Sequence, residues 1–282
     1  MPQIIKQCYR DKTGQGSRHL SRFFMIILLA ESKTMSANQM PVNHEEFFQH
    51  KPLFEDLADS IMDFINSLSP SQIAERLSIS NSLAVKAHSL AFEFPYKLSG
   101  YKAVFGFTGE AFKGFDASSL SPDGLSRTLS DLFIVSSVYG LLHPSDIIKP
   151  YRCEFNKPVN PANKTSIQIF KAKNTATIVN YIKERKIKEI INLLPGDADK
   201  CLDWKIIRAF ASVHKICFQQ ILPDGGLKTP LAKRLKELRG IMARTIMEEN
   251  IQTFNELKDF QSNQFIYSSD HSKPGMPVFI TD

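Results

Sequence analysis

The residues best suited by type and spacing to chemistry lie within residues 137–154, which read SVYGLLHPSDIIKPYRCE. Arg152 offers a planar fork of donors that fits a phosphate or a carboxylate. In an extended backbone Arg152 and Glu154 project to one side, whereas Tyr151 and Cys153 project to the other. We expect Glu154 to hold Arg152 in position for an anionic ligand. The alternative is a rigid corner whose local ion pair has no functional role.

The backbone of this segment is predicted to be stiff. Gly140 permits a conformation closed to other residues, and Pro144 and Pro150 each remove an amide donor and disfavour helix before them. The five residues between the prolines can form little more than one turn. We therefore predict a folded-back connection that presents Arg152. The supporting residues are Tyr139, Gly140, Pro144, Asp146, Pro150, Tyr151 and Glu154.

A second candidate is Lys33, which follows the longest apolar run of the chain, residues 23–30. Residues 25–29 read as a buried central strand, and ligands of α/β sheets bind beyond the carboxyl ends of such strands. Lys33 is thus predicted to contact a ligand, the alternative being an ordinary solvated lysine. The run is too short to cross a bilayer and no small-residue cleavage site follows it, so we predict no membrane segment.

Residues 231–249 carry the clearest electrostatic pattern, on a predicted helix. At ~100° per residue, one apolar stripe contains Leu231, Leu235, Leu238, Met242 and Ile246. The opposite side contains Lys233, Lys236, Gly240 and Arg244, with Arg234 and Arg239 on the flanks. Because glycine in an exposed helix interior costs roughly 1 kcal/mol, we expect a close approach at Gly240, by another backbone or by a phosphate chain. The alternative is a solvated basic face.

Strands and helices alternate along the rest of the chain. Apolar runs predict strands at residues 25–29, 103–107, 132–136, 189–194, 205–210, 213–222, 265–267 and 278–280. Helical spacing and capping residues predict helices at residues 44–68, 70–77, 80–92, 121–130, 166–185 and 231–249. We predict an α+β fold (mixed α/β) in which a central mixed sheet is flanked by helices.

The composition limits the class of protein. The chain has 282 residues, of which 43% are apolar, enough for a substantial core. Its net charge is +6, but residues 1–24 hold five basic residues and one acidic residue, and the remainder holds 30 basic and 28 acidic residues. Nucleic-acid binding must then depend on a local patch. We predict a disordered basic extension over residues 1–24, or a start codon placed upstream of Met25, and a single domain over residues 25–282.

Metal and cofactor chemistry is disfavoured by the motifs. The cysteines form no C-x-x-C pair, which argues against a disulfide framework and a zinc site and favours a reducing cytoplasm. No P-loop, dinucleotide fingerprint or G-x-S-x-G motif occurs. His143 and Asp146 offer iron ligands, but two ligands make a poor site. We predict no metal site and no cofactor.

Two segments resemble the peroxide stress protein YaaA family closely. Residues 139–154 fit its signature Y-G-x-L-x-P-x-D-x-x-x-P-Y-R-x-E. Residues 238–244, LRGIMAR, are similar to its A-R-G-x-M-x-R helix, with Arg239, Gly240 and Arg244 matching.

The ends of two other strands resemble the same family less closely. After the first strand the family has S-P-A-K-T-L; Lys33 matches, whereas Glu31 replaces the proline. Asn192-Leu193 matches an Asn-Leu step of the family. The family follows this step with an Ala-Ser-Asn-Glu-Tyr-Phe-type run, whereas this chain has LPGDAD at residues 194–199. Any role carried by that run is in doubt here.

The resemblance implies a cytoplasmic, monomeric α/β protein of the oxidative stress response. Such a protein would bind DNA in a positively charged cleft with a helix-hairpin-helix-like element, and would limit damage from hydrogen peroxide and intracellular iron. Six residues are then expected at the DNA backbone: Lys33, Arg152, Lys236, Arg239, Gly240 and Arg244. The family brings no defined reaction. The alternative is a phosphate-handling enzyme acting on nucleotides or nucleic acid, with Asp146 and Glu154 as acid–base groups or Mg²⁺ ligands.

Overall fold

The structure is a computed structural model that describes residues 25–35, 50–96, 100–260 and 262–281. The predicted basic extension lies outside these residues, as does the start of the helix predicted from residue 44. Within them, helices cover both faces of a five-stranded mixed sheet, which adjoins a four-stranded sheet and a two-stranded sheet. The predicted α+β class, with a central mixed sheet flanked by helices, is confirmed.

The strands of the central sheet are β1 (Met25–Ala30), β3 (Leu132–Ser136), β4 (Gly140–Leu142), β6 (Glu189–Asn192) and β7 (Ser212–Lys215). They lie in the order β4-β3-β1-β6-β7. β4 runs antiparallel to β3, and the other neighbours are parallel. β1 is central and buried along its whole length, which explains its unbroken apolar sequence.

Two smaller sheets complete the strands. One contains β10 (Ile266–Lys273), β11 (Met276–Ile280), β8 (Cys217–Ile221) and β9 (Leu227–Lys228), in that spatial order. The other pairs β2 (Tyr101–Lys102) with β5 (Ile147–Ile148).

The first helices of the described residues are α1 (Glu55–Asn66), α2 (Pro70–Leu77), α3 (Asn81–Glu93), α4 (Ala103–Gly106), α5 (Glu110–Phe115) and α6 (Pro122–Asp131). They are followed by α7 (Ser166–Arg185), α8 (Gly196–Asp199), α9 (Trp204–Ile207), α10 (Ala232–Glu248) and α11 (Phe254–Asp259). Side-chain oxygens cap the first turns of α2, α3, α6 and α7, at Ser69, Ser80, Ser121 and Thr165. These caps explain why the predicted starts of the four helices are close to those observed.

Alternate residues of β1 enter two different cores. Ile27 packs in one core with Met242 of α10, and Leu28 packs in the other with Ile178 of α7. A third core joins α1, α2 and α3 to residues of the folded-back segment, including Tyr139 and Tyr151. The central sheet and the segment 137–154 are therefore fixed by separate apolar clusters.

Three strand predictions are wrong. Residues 103–107 contain helix α4, whose first N–H groups donate to the carbonyls of Asp146 (2.8 Å) and Pro144 (3.1 Å). Residues 205–210 contain the end of helix α9, which begins because Asp203 Oδ1 accepts the N–H groups of Lys205 and Ile206. Both runs are short and apolar, a pattern that does not separate strand from helix.

The third wrong strand, residues 213–222, is two strands. Its first part, β7, belongs to the central sheet, and its second part, β8, belongs to the four-stranded sheet. The chain changes sheet at Ile216, whose N–H donates to the Asn192 carbonyl at 3.1 Å.

Helix α10 departs from its predicted stripe at one end. Leu238, Met242 and Ile246 are buried as predicted, but Leu231 is 75% exposed because it precedes the helix as its N-cap. Within the described residues, every helix is too short or too polar to span a bilayer.

Candidate functional site

The predicted ligand residues after β1 and in the segment 151–154 meet at one edge of the central sheet. β3 lies beside β1 on one side and β6 lies beside it on the other. The strands that follow β1 in the chain are thus added first to one side of β1 and then to the other. In open α/β sheets ligands bind outside the carboxyl ends of the strands at such a switch point. We call this region the carboxyl edge and define it as residues 31–34, 136–137, 151–154 and 193–195.

Lys33 and Glu154 form the ion pair of this edge. The Lys33 Nζ lies 2.7 Å from Glu154 Oε1 and 2.5 Å from Oε2. The lysine side chain is 55% exposed and the glutamate 17%. The sequence predicted that Glu154 would orient Arg152; instead Lys33, 121 residues away in the chain, is the partner that the structure shows.

Arg152 has a buried donor without an acceptor. Tyr151 and Cys153 are buried and Arg152 and Glu154 are half-buried, so the predicted alternation is observed. The Nε of Arg152 is inaccessible to solvent and has no hydrogen-bond acceptor among the described residues. The Oγ of Ser137 at the same edge is likewise buried without a partner there. Buried polar atoms are rarely left unpaired, and an ion or water at the site is a usual explanation.

Glu31 is the residue that the sequence reasoning missed. Its Oε2 accepts the Ser137 N–H at 2.8 Å and the Tyr151 hydroxyl, which lies 2.7 Å from Ser136 Oγ. Burial raises the pKa of Glu31, while the bonds from Ser137 and Tyr151 oppose that rise. Burial also raises the pKa of Tyr151, and the adjacent Glu31 adds to the effect. The signal was present, because Glu31 replaces the family's proline.

The supporting residues hold the folded-back segment through backbone contacts. Gly140 has φ +70°, and a Cβ there would lie 2.6 Å from Phe170 and 2.9 Å from Phe54. The Tyr139 hydroxyl accepts the Lys149 N–H at 3.0 Å. Only glycine fits at residue 140, as the sequence predicted.

Asp146 closes the turn that begins at Pro144. Its Oδ2 accepts the His143 N–H at 2.8 Å, and the Pro144 carbonyl accepts the Val104 N–H at 3.1 Å. Burial raises the pKa of Asp146 to about 8. Pro150 is half-buried and links β5 to Tyr151. Asp146 thus has a structural partner of its own, and so does Glu154.

Lys236 approaches the carboxyl edge through α5. A side chain on Gly109, the residue before α5, would overlap the Ser32 hydroxyl, so the start of α5 touches the loop that carries Lys33. The pKa of Glu110 is lowered chiefly by its hydrogen bond to Lys113, and to a lesser extent by the charges of Lys233 and Lys236. Lys236 is therefore within electrostatic reach of Glu110, the first residue of α5.

Gly240 and Arg244 contact protein. A Cβ on Gly240 would overlap the Ala111 carbonyl, so the close approach at this glycine is made by the backbone of α5. The Arg244 guanidinium donates to the carbonyls of Phe115 (3.0 Å), Asp116 (2.7 Å) and Ser119 (3.1 Å). Phosphate has no room at Gly240 on that side, and would have to replace three bonds at Arg244. The helix-hairpin-helix-like element stays a prediction.

Arg239 lies on the flank of α10 that faces away from Arg244. Burial lowers its pKa, and the nearby Cys217 thiol opposes that change. Cys217 opens β8, just beyond the end of β7. Among the described residues no carboxylate lies within ion-pair distance of the Arg239 guanidinium.

The end of β6 is occupied by the segment in which the chain departs from its family resemblance. Asn192 Nδ2 donates to Asp199 Oδ1 at 2.7 Å, and Lys215 Nζ lies 2.8 Å from Asp199 Oδ2. The Leu194 N–H donates to Asn192 Oδ1 at 2.9 Å. Helix α8 thus supplies an acid that neutralises Lys215 at this end of the sheet.

Metal ligands do not gather at this edge within the part of the chain that the structure describes. That part contains no group of three or more His, Cys, Asp or Glu side chains placed to hold a metal ion. Asp146 bonds a backbone amide and Glu154 pairs with Lys33, so no shared carboxylate pair supports the enzyme alternative.

The sequence was compared with known proteins. A family model described as peroxide stress protein YaaA matches residues 25–271. The chain belongs to this family. The family supports a role in the stress response, and the matched range includes every predicted site residue.

Curated relatives agree over nearly their whole length. A UPF0246 protein of Shewanella sp. (strain ANA-3) is 30% identical over 267 residues, which cover 92% of this chain and 99% of the relative. One of Shewanella baltica (strain OS223) is 30% identical, with the same shares covered. One of Shewanella oneidensis is 29% identical over 267 residues, again with 92% and 99% covered. The range that the family model matches includes both Glu31 and the LPGDAD run.

Proposed function

We propose that this protein acts in the peroxide stress response by binding the phosphate backbone of DNA at the carboxyl edge. The observation that carries the proposal is the Arg152 guanidinium, whose buried Nε has no acceptor among the described residues. Because that Nε is inaccessible to solvent, a phosphate oxygen reaches it only when the Arg152 side chain turns outward, and arginine then binds phosphate through paired donors. Bound DNA would be shielded from damage driven by peroxide and iron.

Four cations take part in this binding. Arg152 contacts one phosphate directly. Lys33 contacts the next phosphate, which replaces Glu154 as the partner of the lysine. Lys236 and Arg239 lie three residues apart on neighbouring positions of α10, and they extend the basic surface. Gly240 and Arg244 support it, because they fix α5 against α10. Contacts of this kind position a protein on DNA without reading its sequence.

The proposal includes a monomer in a reducing cytoplasm, and it gives the buried thiols near the site no role. Burial raises the pKa of the Cys201 thiol to about 12, and it raises the pKa of the Cys153 thiol further. Thiols of this kind are poor nucleophiles, so peroxide sensing through these two residues forms no part of the proposal.

The test is a titration of duplex DNA at several salt concentrations. Each phosphate contact contributes close to one unit to the slope of log affinity against log salt. We expect Arg152→Gln to weaken binding about tenfold at low salt and to reduce the slope by about one. Lys33→Gln should have a smaller effect, because Glu154 already neutralises part of its charge.

The matched control is Lys86→Gln, which removes an exposed lysine of α3 far from the edge in the chain. This variant should bind DNA within about twofold of the native protein, because Lys86 is not among the cations proposed to contact a phosphate and an exposed charge is screened by salt. Equal affinities and slopes for Arg152→Gln, Lys86→Gln and the native protein would contradict the proposal.

A further inference from the structure

A cavity of about 990 Å³ lies at the other end of the parallel strands. Its lining comes from the starts of β6 and β7, the start of α11 and the turn between β10 and β11. Small-molecule sites have volumes of about 300–1,000 Å³, so the size suits a compact organic ligand. We call this end of the sheet the amino edge. It contains residues 188–189 and 208–214, most of which line the cavity, and residues 129–132 at the start of β3, which do not.

The rim of this cavity is cationic. Lys188 and Arg208 line it, and both are exposed. Within the described residues neither side chain has a carboxylate at ion-pair distance. Their charges are therefore available to an anion, in contrast to Lys33 and Lys215.

An aromatic ring stands in the same lining. Phe210 is 42% exposed, and the Lys183 Nζ lies 4.6 Å from its ring centre. Aromatic rings are common platforms for nucleobases, and since Lys183 lies over one face of this ring, a base would stack on the other face. Phe210 lies two residues after Arg208, so the ring and the cation enter the cavity from one short loop.

A fixed polar pair lies deeper in the cavity. His214 Nε2 and Glu189 Oε1 are 3.3 Å apart, and their side chains are 16% and 24% exposed. Glu189 Oε2 accepts the Phe254 N–H at 2.7 Å, and the Phe254 ring stacks on His214 with ring centres 3.9 Å apart. Both groups are held in place, and carboxylate oxygens retain lone pairs for further donors such as hydroxyls.

We propose that this cavity binds a nucleoside phosphate. The phosphate lies at Lys188 and Arg208, the base stacks on Phe210, and Glu189 accepts a sugar hydroxyl. The three features match the three parts of such a ligand: a cation pair for the phosphate, an aromatic face for the base and a buried acceptor for the sugar. This inference does not depend on the DNA-binding proposal, since the two sites share no residue.

The experiment is calorimetric titration of the full chain with AMP, adenosine and inorganic phosphate. We expect saturable binding of AMP, with adenosine and phosphate each at least about tenfold weaker, because each lacks one part of the ligand. Arg208→Gln and Phe210→Ala should each weaken AMP binding about tenfold. Lys205→Gln, an exposed lysine of α9 outside the cavity, should leave it within about twofold.

Several outcomes would overturn the proposal. They are no binding of AMP at about 5 mM, equal binding of phosphate and AMP, or equal AMP affinity of the native protein and Phe210→Ala. Thermal unfolding of each variant verifies that it is folded. Arg152→Gln separates the two proposals, because it should weaken duplex binding and leave AMP binding unchanged.

A short single-stranded oligonucleotide distinguishes free nucleotide from a nucleic-acid strand as the source of the ligand. If it displaces AMP from the native protein and Arg208→Gln abolishes its binding, the nucleoside phosphate belongs to a strand. If AMP binds and the oligonucleotide does not displace it, the ligand is a free nucleotide.

Discussion

The two ends of the parallel sheet hold their charged groups in opposite ways. At the carboxyl edge Lys33 is paired with Glu154, and at the end of β7 Lys215 is paired with Asp199. At the amino edge Lys188 and Arg208 are exposed and have no such partner among the described residues. Lys33 and Lys215 are therefore already paired without a ligand. At the amino edge the cations are exposed, and the fixed pair is His214 and Glu189.

Burial explains the difference. The carboxyl edge is enclosed by the folded-back segment, so its polar groups lose water and need partners within the protein. Glu31, Tyr151 and Ser136 form such a chain of bonds. An anion that binds Lys33 must replace its bond to Glu154, so the number of cations at this edge overstates its affinity for anions. At the amino edge an anion replaces only water.

The largest expected effect tests how closely the folded-back segment beside the carboxyl edge is packed at Gly140. Gly140→Ala should lower the free energy of unfolding by about 4 kcal/mol, from backbone strain at positive φ and overlap with Phe54 and Phe170. Gly225→Ala is the matched control, because Gly225 has φ +80° and a Cβ added there would have no heavy atom within 4 Å. It should cost about 1 kcal/mol, from strain alone. Urea unfolding measures both, and equal losses would show that packing at Gly140 is loose.

The next effect concerns Asp146, a buried carboxyl of the folded-back segment. Burial raises the pKa of Asp146 to about 8 from an ordinary value of 3.8. The folded state therefore binds a proton that the unfolded chain releases, and the stability due to this group is lost as pH rises from about 4 to 8. Asp146→Asn escapes that loss, since it cannot ionise. Relative to the native protein it should gain on the order of 3 kcal/mol between pH 5 and pH 8.

Urea unfolding at pH 5, 6.5 and 8 measures this gain. Asp123→Asn, which removes an exposed carboxyl from the first turn of α6, controls for the loss of a surface charge. A constant difference in stability between Asp146→Asn and the native protein at all three pH values would show that the carboxyl is not desolvated.

Two tyrosine hydroxyls compare the edges directly. Tyr151 donates to the Glu31 carboxylate at the carboxyl edge, and Tyr181 donates to the Ser130 carbonyl at the amino edge. Bonds to charged acceptors contribute more than bonds to neutral ones. Tyr151→Phe should cost about 2 kcal/mol and Tyr181→Phe about 1 kcal/mol in unfolding free energy. The reverse order would mean that the bond from Tyr151 to Glu31 contributes less than a bond to a neutral carbonyl.

Local signals explain what the sequence could predict. Proline, glycine and capping residues act within a few positions, so the stiff segment, the alternation of residues 151–154 and the starts of four helices were predicted. The strands predicted for residues 103–107 and 205–210 were wrong. The conformation of the first run is set by carbonyls distant in the chain, and that of the second by the Asp203 cap.

Partnership across the chain was beyond sequence reasoning. Lys33 and Glu154 are 121 residues apart, and nothing in the sequence indicates that the lysine rather than Arg152 takes the carboxylate. Gly240 illustrates the same point, since its pattern allowed a backbone or a phosphate and only the fold places α5 against it. The amino edge was missed because its residues come from four separate elements with no motif among them.

The smallest expected effect sharpens the claim that the carboxyl edge is paired before binding. Glu154→Gln removes the carboxylate that neutralises Lys33, so the lysine becomes available to a phosphate. Affinity for duplex DNA at low salt should rise about fivefold, and the salt dependence should steepen by up to about one unit. Glu75→Gln, an exposed acid on α2, makes the same change in net charge and should raise affinity by less than about twofold. If both variants bind equally, long-range charge explains the gain and the Lys33–Glu154 pair does not restrain binding.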